Sequence, residues 1–539
     1  MSTHSRRALL GAGIAAAGSG LLATGASALD AKTGRHRSRG TPHPPDAHDG
    51  PGSPGPHGHD TASHYVSPHG PEVIKAEKYR GSGPVRRFKL TASAAKFDIG
   101  GRIVNTWAYG DRLPGKEFRV NAGDKVAVSF HNRLPHSTTV HWHGVQIRND
   151  MDGSPDITQR SVKAGRSFDY TFAVDRPGTH WFHPHVGVQL DRGLYAPLIV
   201  EDPREPLSYD HEWVVLIDDW LDGVDGMTPD AMLAELNKNK PGGASGHGSM
   251  QGHGGRSAAA AASQWRRRAR HLLSDDPSDS IEHPFHLING RAAKDRETFR
   301  AKPGDRIRIR LINAAAATAY RVALGGHNMT VTHTDGYPVK HKTTDSLLIA
   351  MGERFDVLVT AKDGVFPLTA LSAGSKNQTA QALLRTGDGE APNEKIRPTE
   401  LRSGGLSADK FKAAASVRLS DSKPDRTIKM DLTGSMKDWD WAINGRPFTE
   451  TQRYAVHQGE RVRIIFHNKT TMWHPMHLHG HTFALPNGGP RKDTTIVLPD
   501  KKVAVDFDAD NPGLWMLHCH NIYHSESGMM TVLGYKTRR

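Results

Sequence analysis

A chain of 539 residues holds a single cysteine, Cys519. That excludes an intrachain disulfide and any zinc site built on a cysteine pair. Hydrophobic residues reach only 36%, so part of the sequence is expected to stay outside any core. Beyond residue 28 no apolar run has membrane-spanning length, which argues against stable membrane insertion. Acids are fewer than bases, 57 against 70, for a net charge of +13. The bases are scattered rather than massed in a stripe, so they imply a basic surface and not a nucleic-acid site.

Histidine is abundant at 33 copies, and 55 glycines with 33 prolines fit a loop-rich β protein. The length calls for two to four domains. At the N-terminus, Arg6 and Arg7 precede an Ala/Gly-rich apolar run ending at Ala26-Ser27-Ala28. Residues 1–28 read as a cleaved twin-arginine signal, since the run is short and rich in small residues for an anchor. Export by that route places the mature chain in the periplasm, at the cell wall or outside the cell. Residues 29–84, rich in Gly, Pro and His, read as a disordered, solvated tail.

The chain then repeats itself. FRVNAGDKVAVSFHN (118–132), FRAKPGDRIRIRLIN (299–313) and YAVHQGERVRIIFHN (454–468) share Gly-acid-base, alternating apolar positions and a closing Asn. The alternation predicts a half-buried strand entered through a turn. Three related all-β, Greek-key sandwich domains follow, spanning 85–205, 206–400 and 401–539. An insertion at about 222–280 is expected to be mobile.

Counting nine and eleven residues from each closing Asn reaches His141 and His143, then Val322 and Leu324, then His477 and His479. A second alignment, GTHWFHPH (178–185) with GLWMLHCH (513–520), matches His183 and His185 to His518 and His520 and sets Pro184 opposite Cys519. On a strand the two histidines of an H-x-H pair share one face. Four such pairs can present eight imidazoles across one domain interface, while Cys519 points the other way. His474, His524 and the thioether of Met529 complete a second site with Cys519, the ligand set of a blue copper electron-transfer centre. The corresponding first-domain positions, Thr138, Pro184, Gln189 and Leu194, cannot form one. His283 and His286 in EHPFHLING, like His327 and His333, are read as structural or surface residues.

The motifs HWHG, HPH, HPMHLHG and HCHNIYHSESGM resemble the multicopper oxidase family of the three-domain, laccase and copper-efflux-oxidase type, over about residues 85–539. The resemblance implies three cupredoxin-like domains and four copper ions. It assigns type 1 copper to His474, Cys519, His524 and Met529, and type 2 copper to His141 and His477. One type 3 copper falls to His143, His183 and His520, the other to His185, His479 and His518. It also implies one-electron oxidation of a donor at type 1, transfer through Cys519 to His518 and His520, and reduction of dioxygen to water. Asp152 resembles the family's proton-assisting acid, although Asp before Gly153 also suits a turn. The second family acid is replaced by Ser525, with Glu526 one position later.

For the donor, Met472 matches a methionine that copper-efflux members use for Cu(I), but Thr470 stands where their accompanying acid would be. The region 375–415 has no methionine. Phenols or aromatic amines are therefore the expected donors, with cuprous oxidation for copper tolerance as the alternative. A non-catalytic copper-binding or electron-carrier protein is a further one. All ligands come from one chain, so a monomer suffices.

Overall fold

A computed structural model describes residues 64–78, 80–240, 281, 283–373, 378–403, 405–449 and 451–537. The signal at 1–28, the tail to residue 63 and the insertion from 241 to 280 lie outside the described residues.

Each repeat folds the same way. Its first part is a short strand of one sheet, Phe118–Asn121, Thr298–Arg300 or Arg453–Val456. Its second part is a longer strand of the facing sheet, Lys125–Arg133, Arg306–Asn313 or Arg461–Asn468. Between them Gly123, Gly304 and Gly459 turn at φ of +94°, +89° and +94°, a region open to glycine. The following acid caps the turn: Asp124, Asp305 and Glu460 accept from the N–H three residues back, at 2.9, 2.7 and 2.9 Å. The repeat is therefore a crossing between two sheets rather than one strand with its entry.

Six sheets pair into three sandwiches. In each, the long repeat strand lies parallel to the domain's opening strand, Val85–Ile99, His211–Trp220 or Arg426–Thr433. The facing sheets hold the strands that matter for chemistry: His141–His143 beside Gly178–His183, and His474–Leu478 beside Leu514–Cys519. The corresponding middle strands, Tyr320–Leu324 and Val365–Ser372, carry no histidine. The all-β class and the three-sandwich architecture hold.

The closing Asn is buried each time and ties the same loop. Asn132 donates to His136 O and Val162 O, both at 2.8 Å, and accepts from Leu134 N. Asn313 donates to Thr318 O and Ile349 O and accepts from Ala315 N. Asn468 donates to Met472 O and Val497 O and accepts from Thr470 N. In the first and third domains this loop leads into a histidine strand.

Three boundary expectations need correction. Residues 64–78 and 80–84, expected within a disordered tail, are structured. Val66 N donates to Tyr535 O, Val66 and Val73 are buried, and a helix runs Pro71–Glu77. Glu77 accepts from Ala173 N and Arg80 donates to Asn511 Oδ1, so this strap joins the first and third sandwiches. Two apolar hooks and a helix-starting proline were masked by the surrounding composition. Residues 222–240, expected in the mobile insertion, carry a helix Pro229–Asn237 capped by Thr228, with Met232 and Leu236 buried. Residues 401–403 and 405–414, placed with the third domain, run along the middle one: Leu401 packs with Ala323 and Leu371, Leu348 N donates to Leu406 O, and Ala414 N donates to Pro338 O.

Replacing Asn313 with Ala strands two buried carbonyls and one amide, and should cost about 3 kcal/mol. Denaturant unfolding checks this; a change below about 0.5 kcal/mol would show the repeated asparagine to be dispensable.

Candidate metal centre

The register His477↔His518 and Met476↔Cys519 sets histidines on one face and the thiol on the other. Strand His141–His143 pairs likewise with Gly178–His183, through His141↔His183. The first and third sandwiches meet on these faces, and all eight imidazoles are buried together. Their nitrogens fall into close sets that include His143, His183 and His520, and His185, His479 and His518.

The hydrogen bonds fix most of the tautomers. The Nδ1 atoms of His141, His183, His477 and His518 face the carbonyls of Asp152, Pro184, Asp493 and Cys519 at 2.8, 2.9, 2.9 and 3.0 Å. A carbonyl only accepts, so each Nδ1 carries the proton and each Nε2 is a bare lone pair. His479 is set the same way by Asp152 Oδ2, 2.9 Å from its Nδ1. His143 is reversed: its Nε2 faces Asp493 Oδ1 at 3.1 Å, which leaves Nδ1 pointing at His520 Nε2, 3.2 Å away.

These lone pairs converge without donors. The Nε2 atoms of His141, His183 and His477 are buried with no partner. His479 Nε2 stands 3.1 Å from His518 Nε2, where two acceptors repel. Cations would satisfy all of these nitrogens at once, so the residues fit a metal cluster. Burial, aided by the neighbouring rings, holds His479 and His185 well below the usual imidazole range and His518 at about 3. Neutral rings are the ligating form.

On the opposite face, Cys519 Sγ lies 3.6 Å from His474 Nδ1 and 3.9 Å from His524 Nδ1. Thr470 Oγ1 stands 2.8 Å from His474 Nε2 and donates to Asn468 Oδ1 at 2.9 Å, so it accepts from the ring and leaves Nδ1 free to ligate. Thr470, singled out for replacing an acid, thus orients a ligand. Burial alone holds His474 at about 3 and pushes the Cys519 thiol up; a soft cation would reverse the latter by binding the thiolate. Met529 is buried, and its backbone bonds to Cys519 N and His524 O. Trp441 lies 4.1 Å from the His524 ring and 5.3 Å from His474, with Trp439 beside it.

Asp152 joins the cluster, its Oδ2 on His479 and Oδ1 3.3 Å from His141 Nδ1. Glu526 does not: its carboxyl is pushed up to about 7 by burial and by Asp230, on the insertion side. Ser525 touches the outer edge of a cluster ring instead, Oγ 3.4 Å from His518 Nδ1. Met472 is buried at 1% exposure. Sequence reasoning missed Asp493, the ring-orienting role of Thr470 and the tryptophans. Only Asn468, repeated in every domain, carried a signal that pointed to its own loop.

Sequence profiles described as multicopper oxidase match residues 91–205, 212–389 and 421–538. Multicopper oxidase MmcO of Mycobacterium tuberculosis is 47% identical across 84% of this chain and 88% of its own length. A copper resistance protein A homolog of Pseudomonas syringae pv. tomato is 28% identical across 82% and 91%. The crystal structure of a laccase from Botrytis aclada superposes with a TM-score of 0.64 at 22% identity, covering 88% of this chain and 93% of that one, which shows the shared fold. Fold and site thus define a copper-dependent oxidoreductase. The chain belongs to the multicopper oxidase family.

His283, His286 and His327 are buried structural residues, and His333 is partly buried near Asp356. His283 lies between Asp191 (3.2 Å) and Asp219 (3.3 Å). Burial opposes its charge, but the two aspartates outweigh it and raise His283 to about 9 from 6.5. The stabilisation is full below pH 6.5 and fades as pH rises through about 9. The stability gap between the wild type and His283→Asn, read by thermal unfolding, should narrow across that interval. A gap independent of pH would contradict a buried imidazolium.

Proposed function

We propose that the chain holds four coppers and acts as a laccase-like oxidase of phenols and aromatic amines. In this reading His474, Cys519, His524 and Met529 hold type 1 copper, and His141 and His477 hold type 2. His143, His183 and His520 hold one type 3 copper, and His185, His479 and His518 the other. One observation carries it: Cys519 is bonded covalently between His518 and His520, yet faces a different lone-pair set.

The coppers would supply one-electron acceptance at the cysteine site and four-electron delivery to dioxygen at the histidine site. The chain supplies the rest. The backbone from Cys519 to its two neighbours is the shortest covalent path between the sites. Asp152 fixes the rings of His141 and His479 and sets a carboxylate where protons are needed. Dioxygen takes four electrons and four protons to become two waters; each phenol gives up one electron and its hydroxyl proton. Trp439 and Trp441 shield the type 1 imidazoles, which suits outer-sphere transfer from a planar donor. The twin-arginine segment supports export of the loaded protein.

Cuprous oxidation is the second reading. The relatives named for copper resistance favour it, as does Met472 two residues before His474. Its buried thioether argues against ready access.

Cys519→Ser should abolish the blue absorption and nearly all oxygen uptake while the fold persists by circular dichroism. Unchanged turnover would rule out the route through Cys519, and one copper per wild-type chain without oxygen uptake would make the protein a carrier. To identify the donor, oxygen consumption with a phenol and with Cu(I) is compared in wild type and Met472→Leu. The phenol rate should be the higher and insensitive to the substitution; a Cu(I) rate that dominates and falls at least tenfold in Met472→Leu would favour the second reading.

A further inference from the structure

Among the described residues the middle sandwich supplies no imidazole to the cluster, yet it touches the cluster directly. A Cβ placed on Gly352 would lie 2.9 Å from both His143 Cε1 and His520 Cδ2, so this turn packs bare backbone against two cluster rings. Two residues on, Arg354 is completely buried. Its Nη1 and Nη2 grip Asp493 Oδ1 and Oδ2 at 2.7 and 2.6 Å. Its Nε donates to Thr179 O of the first sandwich at 3.0 Å, and Nη1 also reaches Gly352 O at 2.9 Å. One guanidinium therefore ties all three sandwiches.

Asp493 is the hinge of the contact. Its carboxylate takes His143 Nε2 at 3.1 Å and its carbonyl takes His477 Nδ1 at 2.9 Å. These are the bonds that set the two rings in opposite tautomers, stacked 3.9 Å apart at 11°. Asp335, also of the middle sandwich, accepts from Arg354 N at 2.9 Å and from Asp493 N and Thr494 N at 3.2 Å each. Asp493 is thus held at both its side chain and its backbone by residues of the domain without ligands.

We propose that Arg354 is a positioning residue for type 2 copper, acting through Asp493 on His477 and His143. The proposal rests on the copper assignment above. With only His141 and His477 as protein ligands, the type 2 ion is the one most exposed to a misplaced ring. A planar fork fixes both carboxylate oxygens, and an ammonium at the same place cannot.

The test uses the full-length copper-loaded protein with Arg354→Lys and Asp493→Asn. Copper per chain, the type 2 paramagnetic resonance signal, the blue absorption and the unfolding midpoint of the copper-free form are measured. Both variants should stay blue but fall from four coppers to about three on dialysis, with type 2 affinity lowered about 10- to 100-fold. Should Arg354→Lys fail to fold, the isosteric Asp493→Asn carries the test. Four retained coppers with an unchanged type 2 signal would overturn the proposal. So would a lowered midpoint with full copper, which would make Arg354 only a structural clamp. A wild type that never binds four coppers would instead overturn the copper assignment.

Discussion

Successive side chains of a β-strand point to opposite faces, and everything in this protein's chemistry hangs on that alternation at residues 518–520. His518 and His520 face the junction of the first and third sandwiches, and Cys519 faces its own core. Two metal centres of different character can thereby sit one residue apart. The soft, buried thiol with two Nδ1 atoms suits a one-electron centre. The eight imidazoles suit a metal cluster. A one-residue slip in the pairing with His474–Leu478 would exchange the faces and destroy both.

The surrounding structure keeps the rings correctly turned. Burial disfavours protonation of His143, His183, His185, His477, His479, His518 and His520, and carbonyls at Asp152, Pro184, Asp493 and Cys519 fix which nitrogen faces inward. Metal binding then needs little reorganisation, because repelling lone pairs are already gathered. The acids serve this order: Asp152 and Asp493 each hold two rings, one from each outer sandwich.

Much of this was legible in the sequence because it is local. An H-x-H pair declares a shared face, and the Gly-acid-base run declares the sheet crossing whatever domain it lies in. The reading failed where position depends on geometry that spacing does not carry. Glu526 suggests itself by nearness to His524, but on the helix Ile522–Glu526 one residue is about 100° of rotation, so Ser525 meets the His518 ring and Glu526 lies toward Asp230. Arg354 and Asp493 lie 139 residues apart and share no local pattern. The strap at 64–78 was lost because a few apolar residues were averaged into a polar tail.

Anomalous X-ray scattering at the copper edge, from crystals of the copper-loaded protein, tests the arrangement most directly. Four copper peaks are expected, one at Cys519 and three among the eight imidazoles, with His143 bound through Nδ1 and His141, His183, His477 and His518 through Nε2. A single peak at Cys519, or a cluster whose His143 binds through Nε2, would contradict it.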